Sequence, residues 1–228
     1  MGYNAGTVRN SYTNIPVSST SAAGNTANTG GLIGWHSSVD VLEECYALGD
    51  VTGLGNYIGG LIGQSTRDIY NSFAAGNVTG GDSVGGLVGL TSSGVISSYA
   101  LGNVSGNNRV GGLVGDSTGV GANNAALNYT VTATNASAGR VFGMSTAGAL
   151  SNNHARNGMT VTINSVPETI TSDPLANDGA NLSLPISQTD WNTAGLNWGF
   201  NEGEPWRWDE TLGRPFLRNV GPGANRAP

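Results

Sequence analysis

The residue types that most often carry catalysis are few and scattered in this chain of 228 residues. It contains two histidines, His36 and His154, and one cysteine, Cys45. A zinc protease needs two histidines one helical turn apart with a glutamate between them, and these histidines lie far apart. A cysteine nucleophile needs a base nearby, and no histidine lies near Cys45 in the sequence. The acidic residues are also dispersed, so we predict no catalytic residue, no metal ligand and no cofactor.

Two other groups of side chains have a spacing that suits binding. Four of the five tryptophans lie near the C-terminus, and exposed indoles are good platforms for sugar rings, so Trp198, Trp206 and Trp208 are candidate ligand contacts. The second group consists of hydroxyl residues that each follow a valine: Ser18, Thr52, Thr79 and Ser105. Neighbouring residues of a strand face opposite sides, so buried valines would turn this hydroxyl ladder outward. Thr52 and Thr79 are its central candidates for ligand contact.

A recurrent phrase, Gly-Gly-Leu-apolar-Gly, marks the elements that must position these residues. It begins at Gly30, Gly59, Gly85 and Gly111, and a diverged copy begins at Gly139. The intervals of 29, 26, 26 and 28 residues are typical of a solenoid, in which each repeat stacks on the next. The segments between the phrases are short, β-branched and broken by glycine, which favours strands over helices. We therefore predict an all-β fold, a parallel β-solenoid or β-helix.

A second repeated phrase lies between the glycine phrases, and the two together define about six rungs. Rungs that stack in register lie about 4.8 Å apart and place like residues above one another. We predict two interior ladders, one of leucine and one of valine. Their members are Leu32, Leu61, Leu87, Leu113, Val51, Val78 and Val104. His36 follows a glycine phrase, where we predict a surface turn.

One column of the second phrase is aromatic. Its members are Tyr12, Tyr46, Phe73, Tyr99 and Tyr129, and His154 takes the last place. If the flanking small residues point inward, the rings point outward; if the strand bends, the rings stack inside the rod. The sequence leaves both arrangements open, and buried stacking is the interpretation that we favour.

The two phrases together resemble the GLUG repeat, which is named for its Gly-Leu-apolar-Gly core. The resemblance covers roughly residues 6–163, and four copies of the core are close. Such repeats are found in large bacterial surface proteins, in adhesins and beside IgA-specific metallopeptidases. The resemblance implies a β-solenoid segment of an exported protein, and it implies no catalytic residues.

The repeat predicts three regions. Residues 1–163 form the solenoid, which begins partway through a rung, so we expect a fragment of a longer parent chain with further repeats or domains. Residues 164–220 are rich in proline, asparagine and then aromatic residues. We predict that they cap the last rung, with a sugar-stacking site as the alternative. Residues 221–228 read as a tail or linker.

Composition restricts the partners. The formal net charge is −6, and no basic patch is visible, which argues against nucleic acid because binding there depends on neutralised phosphates. No apolar run has the length of a membrane span, so we expect no membrane insertion by this segment.

The function that these features favour is a non-enzymatic structural or binding segment of a secreted or cell-surface bacterial protein. It would act as an adhesin stalk or a ligand-display surface, with a glycan or a host or cell-surface protein as partner. Two alternatives remain open. One is a polysaccharide-active β-helix enzyme, and the other is an ice- or polymer-binding solenoid that uses the hydroxyl ladder.

Overall fold

The computed structural model describes residues 1–20, 27–37, 39–146, 149–184 and 186–221. In these residues short strands stack into parallel sheets that surround a common core. Six rungs follow one another along the axis; the first contributes four strands, and each later rung contributes five. The predicted all-β parallel solenoid of about six rungs is confirmed.

We number the five parallel sheets I to V in the order in which the chain visits them within a rung. Sheet I contains Asn28–Gly30, Tyr57–Gly59, Ser83–Gly85, Val110–Gly111 and Ala138–Gly139. Sheet II contains Tyr3–Asn4, Ile33–His36, Ile62–Ser65, Val88–Thr91, Val114–Ser117 and Phe142–Ser145. Sheet III contains Val8–Arg9, Leu42–Glu43, Ile69–Tyr70, Val95–Ile96, Gly121–Ala122 and Leu150–Ser151.

Of the last two parallel sheets, sheet IV lies against the C-terminal segment, and sheet V carries the hydroxyl ladder. Sheet IV contains Tyr12–Thr13, Tyr46–Ala47, Phe73–Ala74, Tyr99–Ala100, Ala125–Ala126, His154–Arg156 and Ala180–Leu182. Sheet V contains Val17–Ser19, Val51–Gly53, Val78–Thr79, Val104–Gly106, Thr130–Ala133 and Thr160–Ile163, and Val166–Pro167 joins it antiparallel.

The interior of the rod consists of stacked apolar side chains. Val51 pairs with Val78 and Val78 with Val104, and all three are buried. The leucines follow the same rule, because the backbone N–H of Leu61 donates to the carbonyl of Leu87 at 2.9 Å, and this pattern continues at Leu113. Leu32, nearer the open end of the stack, is partly buried. The apolar side chains of each rung are therefore buried against those of the neighbouring rung.

The second glycine of the phrase shows why the phrase is repeated. A Cβ atom on Gly60 would lie 2.1 Å from the carbonyl oxygen of Gly86, and one on Gly86 would lie 2.1 Å from that of Gly112. The position points along the axis at the next rung and has no room for a side chain. Arg140 occupies it in the sixth rung, where its guanidinium donates to the carbonyl of Gly179 in the segment that closes the end. The fifth copy is thus adapted to the last rung.

The sequence alignment of the fifth rung is wrong by four residues. Tyr99 pairs with Ala125, and Ala125 pairs with His154, so Tyr129 is not a member of the aromatic column. Asn124 takes the small position, where its Oδ1 accepts from the backbone N–H of Ser98 at 3.0 Å. The error arose because two successive segments of this rung both fit the small-apolar pattern.

After the sixth rung the chain covers the end of the rod and then turns back along its side. Ala180–Leu182 adds a seventh strand to sheet IV, beside His154–Arg156. An α-helix at Gln188–Trp191, a π-helical turn at Asn192–Leu196 and an antiparallel hairpin of Trp206–Asp209 and Arg214–Leu217 follow. We refer to residues 186–220 as the flank segment. Of the tail predicted at 221–228, residues 222–228 lie outside the described residues.

The described part of the chain contains no helix with the length and apolar character needed to cross a membrane.

Candidate functional site

The aromatic rings of sheet IV form a stack on the outside of the rod. Consecutive ring centroids from Tyr46 through Phe73 to Tyr99 lie 4.8 Å apart, and the ring planes are nearly parallel. The next residues along each strand, Ala47, Ala74 and Ala100, belong to the interior core, so the rings face outward. All three rings are nevertheless fully buried, in a second core that is shared with the flank segment. The favoured arrangement, in which the rings stack inside the rod, is therefore wrong: the rings face outward and are buried by the flank segment.

The tryptophans lie over this stack. The ring centroids of Trp198 and Trp206 are 4.6 Å apart, and that of Trp206 lies 5.7 Å from Tyr99. Their indole N–H groups donate to the Asn123 carbonyl at 2.8 Å and to Asn71 Oδ1 at 3.1 Å. These acceptors belong to the fifth and third rungs, so the prediction that the tryptophans cover the last rung is wrong.

Burial also decides what the tryptophans offer to a ligand. Trp198 is 3% exposed and Trp206 is 1% exposed, because the two indoles cover each other and the tyrosine stack. Neither presents a ring face to solvent, which removes the physical basis for a sugar platform at these two positions. Trp208 is half-buried and packs edge-on against Phe200 and Trp191.

A groove of about 490 Å³ remains where the flank segment meets the corner between sheets IV and V. The corner has the same form in successive rungs, an apolar residue followed by glycine and then aspartate or asparagine. The floor consists of Leu48, Ala75, Leu101 and Leu127, and the rim consists of Asp50, Asn77, Asn103 and Tyr129. The opposite wall contains Leu184 and two residues of the flank segment, Leu212 and Arg214. From the second rung to the sixth the groove extends about 19 Å, at about 4.8 Å per rung.

The rim side chains are held by the backbone of the neighbouring rung. Asp50 Oδ1 accepts from the backbone N–H of Asn77 at 2.7 Å, and Asn77 Oδ1 accepts from that of Asn103 at 2.9 Å. Asn103 Oδ1 then accepts from the backbone N–H of Tyr129 at 3.2 Å. Aspartate and asparagine side chains readily accept such backbone N–H bonds at turns, which accounts for their recurrence at this corner.

Arginine marks the far end of the groove. Arg156 follows Leu127 in the floor column, one rung further along, and its Nε donates to the Leu127 carbonyl at 3.0 Å. Its guanidinium carbon lies 3.8 Å from the ring centroid of Tyr129, which is a cation–π contact. Arg214 stands in the opposite wall. Asp50 is the one carboxylate among the described residues that line the groove.

The residues most often involved in catalysis lie elsewhere. Cys45 is buried, and burial raises the pKa of its thiol to about 12, which keeps the thiol protonated and a poor nucleophile. His154 is buried between the rod and the flank segment, and desolvation lowers its pKa. His36 is also fully buried, with a ring nitrogen 3.0 Å from Asn4 Nδ2, so the predicted surface turn is wrong. Within the described residues, no three His, Cys, Asp or Glu side chains converge as a metal site.

The hydroxyl ladder lies on the outer face of sheet V. Ser18, Thr52, Thr79 and Ser105 pair in register, and the column continues at Thr132 and Thr162, which the sequence alignment did not include. Ser18, Thr52 and Thr79 are exposed, and the remaining three are partly exposed. The hydroxyl oxygens of Thr79 and Ser105 are 3.1 Å apart, and those of Thr132 and Thr162 are 3.2 Å apart.

Sequence reasoning missed the groove, although its signal was present. Leu48-Gly49-Asp50, Ala75-Gly76-Asn77 and Leu101-Gly102-Asn103 stand at equivalent places in the second phrase. From sequence alone such segments indicate turns between strands, because glycine and asparagine are common in turns. The floor and rim become a groove only because the flank segment lies beside them.

We compared the chain with protein-family models, with curated proteins and with solved structures, and no match was found in any of the three. The resemblance to GLUG repeats therefore stays a prediction, and the function has to be argued from the geometry of the groove.

Proposed function

We propose that this chain is a non-enzymatic binding segment of a secreted or cell-surface bacterial protein. In this proposal the solenoid is a stiff support, and the groove beside the flank segment holds the ligand. The observation that carries it is the rim, in which one polar side chain per rung is fixed by a hydrogen bond to the next rung. Side chains that are ordered before binding lose little entropy on binding, which favours recognition.

The acidic residues give less support to the alternative of a polysaccharide-active enzyme. Glycoside hydrolysis requires two carboxyl groups that flank the scissile bond. The described lining of the groove supplies Asp50 alone, and one of its oxygens is already engaged by the backbone of Asn77. A groove with one carboxylate is better suited to binding a polymer than to cleaving it.

The proposed location and partners rest on the resemblance to GLUG repeats. That family occurs in bacterial surface proteins and adhesins, where a rod with a lateral groove would meet glycans or proteins of another cell. The net charge of −6 gives no support to a nucleic acid as partner.

A direct test is to screen the purified chain against glycan arrays and host-cell surface proteins and to block the groove. Ala75→Trp should fill the floor, because Ala75 lies in its centre. Val120→Trp is the matched control, since Val120 is 46% exposed and outside the groove lining. We expect saturable binding that Ala75→Trp abolishes and Val120→Trp retains. Absence of any partner would favour a spacer, and release of shortened glycan products would favour the enzyme.

A second candidate function is contact with a repetitive polymer or with ice through sheet V. It is favoured by the hydroxyl column, which extends over six positions at the regular spacing of the rungs. Thr79→Arg would place a bulky charge in the middle of this face, where Thr79 is exposed. Retention on crystalline polysaccharide or inhibition of ice recrystallisation should be lost in this variant and unaffected by Ala75→Trp. Inactivity of the unmodified chain in both assays would remove this candidate.

A further inference from the structure

We propose that the groove selects an acidic oligosaccharide, a chain of sugars that bear carboxylates, whose acidic groups lie along the rim and against Arg156. This inference rests on the proposed binding function and adds the chemical class of the ligand. It is carried by the donors of the rim, the charge at the end of the groove and the repeat distance of the floor.

The rim presents hydrogen-bond donors to solvent. Oδ1 of Asn77 and Oδ1 of Asn103 each accept a backbone N–H, and an N–H can face only an oxygen, so the orientation of both carboxamides is determined. Their Nδ2 groups therefore point away from that bond, and within the described residues neither donates to another protein atom. Two donors of fixed orientation, one rung apart, match a ligand with repeated acceptors.

The arginine end adds positive charge to this row of donors. Arg156 forms no ion pair within the described residues, and its guanidinium nitrogens other than Nε make no hydrogen bond there. Asp50, at the other end, is the single carboxylate among the described residues of the lining. The Arg156 end of the groove is thus a positively charged region of a chain whose formal net charge is −6. A guanidinium binds a carboxylate through paired, charge-assisted hydrogen bonds.

The spacing of the floor favours a sugar chain over a peptide. Apolar floor residues recur once per rung, at about 4.8 Å. An extended peptide advances about 3.3 Å per residue, so its side chains on one face recur at about 6.6 Å, out of step with the rungs. The advance of a sugar chain per pyranose ring is close to the spacing between two rungs. Its C–H face would pack on a leucine while its ring substituents meet the rim.

The two ends of the groove differ in charge. Asp50 lies in the second rung and Arg156 in the sixth, so a negative group and a positive group stand at the two ends. Repulsion by Asp50 should exclude a carboxylate from its end, and Arg156 should attract one at the other. An acidic oligosaccharide would therefore occupy the Arg156 end of the groove in preference to the Asp50 end.

The experiment compares uronate oligosaccharides with their methyl esters, which have the same sugars without the charge. Binding of oligogalacturonate, oligomannuronate and oligoglucuronate to the full chain is measured by calorimetry at low and high salt. At least one acid should bind about tenfold or more tightly than its ester, as loss of a charge-assisted hydrogen bond implies. Arg156→Gln should reduce the acid to the affinity of the ester, and Asp50→Asn should tighten acid binding.

The matched control is Arg207→Gln. Arg207 is an exposed arginine that also lies over an aromatic ring, 5.2 Å from the centroid of Phe216, but it is not part of the groove lining. We expect the Arg207→Gln variant to bind the acidic oligosaccharide with unchanged affinity. Equal binding of acid and ester, or no effect of Arg156→Gln, would overturn the inference and leave the proposed binding function intact. Binding of polyglutamate but of no uronate would overturn it in favour of a peptide. Binding of no glycan or protein would overturn both.

Discussion

The protein contains two hydrophobic cores of different construction, one inside the rod and one on its flank. The inner core consists of aliphatic side chains that recur in each rung, such as Val78 beneath Val104. The outer core consists mainly of aromatic side chains. In it the stacked rings of sheet IV pack against tryptophans of the flank segment, which is not repeated. The inner core is made by repetition, whereas the outer core joins a repeated surface to a unique segment.

The difference has a functional consequence. Repetition gives a straight and regular surface, but regular surfaces have few concave sites, and the groove forms only where the unique segment lies beside the repeats. Ligand sites usually lie where separate structural units meet. In this protein the rod supplies periodic floor and rim residues, and the flank segment supplies the opposite wall.

The strongest way to break the inner core is to add one methyl group between rungs. The Cβ atom of Gly86→Ala would lie 2.1 Å from the backbone oxygen of Gly112, and backbone cannot move aside without separating the rungs. We expect a loss of at least about 4 kcal/mol in the free energy of unfolding, seen as a large drop in the melting temperature. Gly2→Ala is the control, because no atom lies within 4 Å of its added Cβ. A Gly86→Ala protein of normal stability would contradict the stacked geometry.

The outer core should break separately. Trp206→Ala removes a buried indole that contacts Phe73, Tyr99 and Trp198, at a cost of about 3–5 kcal/mol. We expect the flank segment to detach while the rod keeps its strands, so near-ultraviolet circular dichroism and amide protection of residues 186–220 are lost and the far-ultraviolet spectrum is retained. Trp35→Ala is the control: it should leave the amide protection of residues 186–220 and the far-ultraviolet spectrum unchanged, because Trp35 is 39% exposed on sheet II. Complete unfolding by Trp206→Ala would show that the cores are one cooperative unit.

Two tyrosines of the same stack sharpen the comparison. The hydroxyl of Tyr99 donates to the Pro215 carbonyl at 2.8 Å and joins rod to flank segment, so Tyr99→Phe should cost about 1–2 kcal/mol. The buried hydroxyl of Tyr46 has no hydrogen-bond partner within the described residues, and burial raises its pKa to about 12. Tyr46→Phe should be neutral or stabilising. Both values come from denaturant unfolding, and equal destabilisation by the two variants would contradict this assignment.

The smallest expected effect is a pH dependence from the two buried histidines. Desolvation lowers the pKa of His36 in the rod and of His154 at the junction with the flank segment. The unfolded chain then binds protons more readily than the folded chain, so stability is complete above about pH 6.5 and declines as the pH falls below it. The slope should not exceed about 1.4 kcal/mol per pH unit for each histidine. Unfolding measured at several pH values should show a flatter profile for the double variant His36→Asn, His154→Asn.

Much of the rod was predictable from the sequence because stacking imposes one requirement on every rung. The glycine phrase predicts the solenoid, and Leu61, Leu87 and Leu113 follow one another along the axis as expected. The alignment was wrong in the fifth rung, where Ala125 and not Tyr129 lies in the aromatic column. Its strands satisfy the same backbone pairing with different side chains, so residue similarity alone could not locate the register.

The candidate site was less predictable. The tryptophans were identified, but their burial depends on the return of the flank segment along sheet IV, a contact between residues such as Trp206 and Asn71 that are distant in sequence. Arg156 belongs to no repeated motif, and its place in the groove depends on its position one rung beyond Leu127 and beside Tyr129.

Local spacing and sterics are enough to predict the repeat, the in-register stacking of its ladders and the need for glycine at Gly60, Gly86 and Gly112. The burial of the outward-facing rings, the contact of Arg140 with the end segment and the groove at the repeated corner become visible in the three-dimensional fold alone. These properties depend on where a non-repeating segment packs. That choice rests on many weak aromatic and hydrogen-bond contacts over long sequence separations, and no local pattern records it.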